Sequence, residues 1–143
     1  MIGEEAEPGR GAITVNVDGG ARGNPGPAAI AAVLHRADGT VVDEVGEPIG
    51  RATNNVAEYR ALLLGIQRAV ALGATEVELI GDSELIVRQV EGRYKVKDAT
   101  LKDLHRQVRS ALSSFDRWSI RHVRREQNAA ADRLVNEVLD GAG

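Results

Sequence analysis

The order of hydrophobic periods constrains this chain most: three strand-like segments come first, and helical patterns alternate with strands only afterwards. Ile13, Val15 and Val17 alternate with Thr14 and Asn16, a period of two. Asp18-Gly19-Gly20 ends that strand, and Arg22-Gly23-Asn24-Pro25-Gly26-Pro27 is dense turn chemistry. An apolar run from Ala28 to His35 and a third segment from Val41 to Ile49 flank the turn Ala37-Asp38-Gly39-Thr40. Connections this short predict an antiparallel meander. Asn54 or Asn55 then supplies the cap of a helix running to about Leu72, stopped by Gly73. Its apolar stripe is Tyr59, Leu62, Leu63, Ile66, Ala69 and Val70. A fourth strand, Thr75 to Ile80, leads to Asp82-Ser83, which caps a short helix from Glu84 to Glu91. Arg93 to Asp98 is a basic connector, followed by a helix from about Thr100 to Ser113, a fifth strand from Trp118 to Val123 and a last helix from Glu126 to Leu139. Helical crossovers between the later strands require parallel pairing. The chain therefore reads as α/β, with a mixed five-stranded sheet (three antiparallel strands plus parallel strands) flanked by helices. One domain is expected over residues 12–140, after a short disordered lead-in over residues 1–11.

At 143 residues the chain can bury a sizeable single core. No apolar run approaches the roughly 20 residues of a membrane span, so no membrane partner is expected. The acidic N-terminus lacks the basic start and apolar stretch of a signal peptide. The absence of cysteine excludes disulfides and thiolate metal sites, and a cytoplasmic location follows by default. The net charge of −3 conceals an asymmetry, because Glu84 to Arg125 holds 11 Lys/Arg against 5 Asp/Glu. A basic segment in an acidic protein can make a phosphate-facing surface; a pair of solvated helix faces would leave the same pattern.

Four carboxylates stand in constrained local sequences: Asp18 in Val17-Asp18-Gly19-Gly20, Glu58 in Thr53-Asn54-Asn55-Val56-Ala57-Glu58, Asp82 in Gly81-Asp82-Ser83, and Asp132 in Asn128-Ala129-Ala130-Ala131-Asp132. Singly, Asp18 reads as a turn residue, Asp82 as a helix cap and Glu58 as a partner of the helix dipole. Asp132 is harder to explain away, since an aspartate among helical alanines has poor propensity. If the first and fourth strands are adjacent and parallel, Asp18 and Asp82 emerge at one carboxyl edge, where ligand sites of open α/β sheets lie. Four converging acids raise one another's pKa and call for cations, and hard oxygen ligands in that number point to Mg²⁺ or Mn²⁺. Two such ions suit phosphodiester cleavage.

These blocks, with Gly23-Asn24-Pro25-Gly26-Pro27 and Ala131-Asp132-Arg133-Leu134, resemble ribonuclease H type 1 from Ile13 to about Leu139. The resemblance implies endonucleolytic hydrolysis of the RNA strand of RNA–DNA hybrids, leaving 5′-phosphate and 3′-hydroxyl ends. It implies Asp18, Glu58, Asp82 and Asp132 as ligands of two Mg²⁺ ions with substrate, Mn²⁺ being an alternative, and Asp18 shared between them. His122, ten residues before Asp132, matches a histidine that assists the chemistry or product release in some relatives; Arg124 or Arg125 is the alternative. Arg51 and Thr53 match a pocket that grips a DNA-strand phosphate. Asn24, Asn54 and Asn55 match residues that read sugars and bases in the minor groove, and Gly19-Gly20 would let the backbone approach the ribose.

Three departures from the family pattern concern binding. Only Arg93-Tyr94-Lys95-Val96-Lys97 stands where some relatives carry a longer basic handle, leaving Tyr94, Lys95 and Lys97 as the candidates there. Glu84 stands where many have glutamine, and the lead-in is too short for an N-terminal hybrid-binding module. The expected protein is a monomer that binds the hybrid. The competing readings are a catalytically silent nucleic-acid-binding module, or a DNA nuclease or resolvase of the same superfamily. The four acids and the asparagine and Arg51/Thr53 positions favour the hybrid-cleaving enzyme.

Overall fold

The computed structural model describes residues 11–142. The expected lead-in lies outside the described residues except for Gly11. That residue belongs with the fold, its carbonyl accepting from the Thr75 and Glu76 amides at 2.7 and 2.9 Å. The strands are β1 (Ala12–Ala21), β2 (Gly26–His35), β3 (Val41–Ala52), β4 (Glu76–Gly81) and β5 (Arg117–His122). The helices are α1 (Asn54–Ala71), α2 (Glu84–Glu91), α3 (Ala99–Leu112) and α4 (Ala129–Ala142), the last entered through a 3₁₀ turn, Arg125–Asn128. The sheet order is β3-β2-β1-β4-β5. β1, β2 and β3 pair antiparallel, whereas β1 with β4 and β4 with β5 pair parallel. The expected mixed sheet is present.

β1 does not end at Asp18. It runs four residues further than Val17, pairing Asp18 with Ala31 and Ala21 with Ala28 on β2. Its parallel pairing with β4 stops at Asn16 opposite Ile80, so Asp18 still stands at the carboxyl edge of the parallel half. Continuing that register by two residues sets Asp18 beside Asp82.

One face of the sheet carries Val15, Val17, Val77, Leu79 and Ile120, buried under Tyr59, Leu62 and Ile66 of α1 together with residues of α2 and α3. Gly65 lets α1 lie close on β1, since a Cβ there would fall 2.7 Å from a Val15 methyl. The α1 stripe differs from the expected one: Val70 is 50% exposed, while Ala61, Leu64 and Gly65 are buried. The helix is covered on two sides, by the sheet and by α3, so its buried face is broader than a single stripe. On the other face, Val135 and Leu139 of α4 pack on Ala29 and Ala31 of β2. The small β2 side chains let that helix approach the sheet.

The α1 cap is Thr53, whose Oγ1 accepts from the Val56 amide at 3.2 Å. Asn54 and Asn55 already lie inside the helix, and Asn54 is occupied elsewhere: its Oδ1 accepts from the Ala21 amide at 2.8 Å. Ser83 caps α2, and Asp98 caps α3 one residue earlier than the sequence pattern places the start. The last helix begins at Ala129 and not at Glu126, because Asn128 turns its side chain inward to the Val17 carbonyl (2.8 Å).

Candidate active site

Asp18, Glu58 and Asp82 converge from β1, α1 and the β4–α2 junction, one ligand oxygen of each lying within 4.8 Å of the others. Asp18 is 5% exposed and Glu58 8%. They share a cleft of about 540 Å³ with Gly19, Gly20, Arg22, Asn54, Asn55, Ser83, Arg125, Asp132 and Asn136. Asp132, in the first turn of α4, lines that cleft outside the tight group of three. The site thus draws two acids from the edge of the sheet, one from α1 on its first face and one from α4 on its second.

Burial and charge act together here. Desolvation, then the Asp82 charge, pushes the Asp18 carboxyl from 3.8 to about 7, against the lowering effects of a hydrogen bond with Glu58 and of the Arg125 guanidinium. Desolvation also raises Glu58 well above the usual carboxylate range, followed by the charges of Asp18 and Asp82; the Gly19 amide, donating to its Oε1 at 3.0 Å, opposes the shift. Asp82 Oδ2 accepts from Asn128 Nδ2 at 3.2 Å. A water-poor group of hard oxygen donors with excess negative charge is what a divalent cation such as Mg²⁺ or Mn²⁺ stabilises, so the residues present fit a metal.

The other expected site residues are distributed around this cleft. Asn24 Oδ1 accepts from the Asn54 amide at 3.0 Å, tying the β1–β2 turn to α1. Asn24, Thr53 and Asn55 line a neighbouring hollow with Asp98 and Thr100. Arg51 is exposed on the edge strand β3 and is not among the residues lining that hollow. Tyr94, Lys95 and Lys97 are exposed on the α2–α3 connector, which is held from within by Gln89: its Nε2 donates to the Lys95 carbonyl at 3.4 Å, and its Oε1 accepts from buried Tyr59 at 2.6 Å. Glu84 points to Arg88 at 3.5 Å.

His122 lies at the end of β5 in a separate hollow with Glu78, Arg88 and Glu91, whereas Arg125 lines the acidic cleft. The ten-residue spacing to Asp132 selects His122 by counting, but the chain leaves β5 there and turns through Arg125–Asn128 back under Asp18. Arg22 also lines the cleft and is paired with Asp140 of α4 at 2.7 Å. Its setting in a turn gave no signal beyond loop chemistry.

Fold and site together define a ribonuclease H-like α/β protein with a carboxylate-lined cleft whose donors are compatible with a metal. Residues 16–138 match the family described as reverse transcriptase-like. The structure is similar to that of RNase H1 from Halobacterium salinarum, with a TM-score of 0.90 and 46% identity over 92% of this chain and 99% of that one. It is also similar to LC11-RNase H1 solved in complex with an RNA/DNA hybrid, with a TM-score of 0.87 and 44% identity over 91% of this chain and 98% of that one. A bifunctional protein of Mycobacterium tuberculosis is 49% identical over 91% of this chain, which spans 36% of that protein's length. The chain belongs to the ribonuclease H type 1 family.

Proposed function

We propose that this protein is a metal-dependent endoribonuclease that hydrolyses the RNA strand of RNA–DNA hybrids, leaving 5′-phosphate and 3′-hydroxyl ends. The observation that carries the reading is the group formed by Asp18, Glu58 and Asp82, with Asp132 across the same cleft, in a chain of this family. Asp18, Glu58, Asp82 and Asp132 would hold two Mg²⁺ ions, or Mn²⁺, when the hybrid is bound. Such a pair lowers the pKa of the water that attacks phosphorus and offsets charge on the leaving oxygen. The chain itself supplies orientation and shape. Glu58 is fixed by the Gly19 amide, and Asp82 by Asn128. Gly20, Asn54 and Asn55 line the cleft; the bare Gly20 backbone would admit a ribose, and the two asparagines would read the 2′-hydroxyls that distinguish RNA from DNA. Arg51 and Thr53 receive a phosphate of the DNA strand, Asn24 joins Asn54 and Asn55 in reading sugars and bases, and Tyr94, Lys95 and Lys97 meet phosphates at the rim. One chain carries all four acids, so the reading needs no second copy. No described helix is long and apolar enough to cross a membrane, and a cytoplasmic location remains the default assignment.

The test incubates the protein with end-labelled RNA–DNA hybrid, duplex DNA and duplex RNA, with Mg²⁺, with Mn²⁺ and with chelator. Cleavage confined to the RNA strand of the hybrid and abolished by chelator is expected. Binding without cleavage would replace this reading with a silent binding module, and cutting of duplex DNA with a DNA nuclease. Within the site we assign the assisting role to Arg125 ahead of His122, because Arg125 lines the acidic cleft and its charge reaches Asp18. Arg125→Ala should lower kcat about 100-fold, and His122→Ala should have much the smaller effect. The reverse order in single-turnover assays would restore the role to His122.

A further inference from the structure

Asn128 is 1% exposed, and its side-chain polar atoms are engaged. Its Nδ2 donates to the Val17 carbonyl at 2.8 Å and to Asp82 Oδ2 at 3.2 Å, while its Oδ1 accepts from Asn16 Nδ2 at 2.9 Å. Asn16 Oδ1 in turn lies 2.9 Å from His35 Nε2. The direction of this chain is forced. The Val17 carbonyl only accepts, so Asn128 must turn its nitrogen toward it. Its oxygen then faces Asn16, which must donate. That leaves the Asn16 oxygen toward His35, whose Nε2 must carry the hydrogen. The neutral Nε2–H tautomer and the imidazolium both satisfy this, so the chain keeps its direction in either charge state of His35. Reversing any one amide would set oxygen against oxygen in the interior, where an unmade hydrogen bond is costly.

We propose that Asn16 and His35, on the strands β1 and β2, are positioning residues for Asp82, acting through Asn128. They hold the Asn128 amide so that one Asp82 oxygen is fixed and the other is left for a cation. The inference rests on the metal reading of the cleft given above. Hydrogen-bonded partners that orient a ligating carboxylate raise metal affinity about 10- to 100-fold. Asn16 and His35 are both only half-buried, so they can be changed with less risk to folding than Asn128.

The experiment titrates Mn²⁺ into the parent protein and into Asn16→Leu, His35→Phe and His35→Gln by calorimetry, without nucleic acid, and records metal-free melting in parallel. Mn²⁺ affinity should fall about tenfold in Asn16→Leu and His35→Phe. His35→Gln, which keeps an N–H donor, should recover most of the loss. In cleavage assays the Mn²⁺ concentration for half-maximal rate should rise while the KM for hybrid stays the same. Unchanged Mn²⁺ affinity in both Asn16→Leu and His35→Phe overturns the proposal. So does an affinity loss that His35→Gln shares in full, or one that merely tracks a large drop in melting temperature. A parent that neither binds Mn²⁺ nor needs it for hybrid cleavage overturns the metal reading and this inference with it; a metal-dependent parent with unaltered variants overturns this inference alone.

Discussion

Asp18→Asn is expected to cut hybrid cleavage by roughly 10³-fold or more and, without metal, to leave a protein more stable than the parent at pH 8. The two effects share a cause. Asp18 is buried beside Glu58 and Asp82, and its carboxyl is raised from 3.8 to about 7, chiefly by desolvation. The folded protein therefore binds this proton more tightly than the unfolded chain does. Stability from this group is fully present below pH 3.8, is lost as the pH rises to about 7 and is flat above it. The loss amounts to about 4 kcal/mol at most, and asparagine, uncharged at every pH, escapes the charged part of it. A rise of roughly 5 °C in metal-free melting temperature at pH 8, vanishing near pH 4, is the expected signature. A cation competes with the same proton, so the parent's apparent metal affinity should weaken as the pH falls below about 7. Calorimetric melts across pH and rates with saturating Mg²⁺ check the two halves separately. A variant with near-normal rate would remove Asp18 from the metal centre.

Gly19→Ala should cost about 3 kcal/mol or more of stability, whereas Gly20→Ala next door should cost almost none. A Cβ at Gly19 would overlap the Ala57 carbonyl and stand 2.8 Å from the Glu58 nitrogen, both backbone atoms of α1. Neither the strand nor the helix can yield without moving Glu58 off the Gly19 amide, so the rate should collapse along with the fold's stability. At Gly20 the nearest atoms to a Cβ are an Asn54 side-chain oxygen at 3.9 Å and a Val135 methyl at 4.0 Å. That Cβ fits, and it points into the cleft, so Gly20→Ala should keep its denaturation midpoint while losing affinity for the hybrid. Urea unfolding of both variants, with KM and kcat for the second, separates internal packing from substrate approach. Equal midpoints would show that β1 and α1 are not held as close as described.

The contrast between these glycines marks what could be read from the sequence. The element order was legible because each segment carries its own period, and from it the placing of Asp18 and Asp82 at one edge followed once β1 and β4 were taken as parallel neighbours. Gly19 and Gly20 look alike in sequence, and only the distance from β1 to α1 assigns them different work. The Thr53 cap lies one residue from the expected asparagines, a local ambiguity among residues that all cap well. Val70 was placed in the core by helical spacing, but a helix covered by both sheet and α3 buries residues that one stripe does not include. Asn16 and Asn128 meet across 112 positions of chain. Asn16 reads as the polar half of a strand alternation and Asn128 as a residue near a helix start, and nothing local joins them. The preference for Arg125 over His122 likewise depends on the path taken after β5, which residue counting does not follow.

The three gathered acids also bear on the order of events at the cleft. With no cation present, the wall that must receive a polyanion is itself anionic, and the Arg125 charge close to Asp18 offsets part of it. Cation and nucleic acid are then linked ligands: whatever factor one adds to the affinity of the other is returned in full. The apparent dissociation constant for hybrid becomes a function of free cation concentration, and that for cation a function of hybrid. A cleft built in this way responds to coincidence, since neither partner alone brings it to balance.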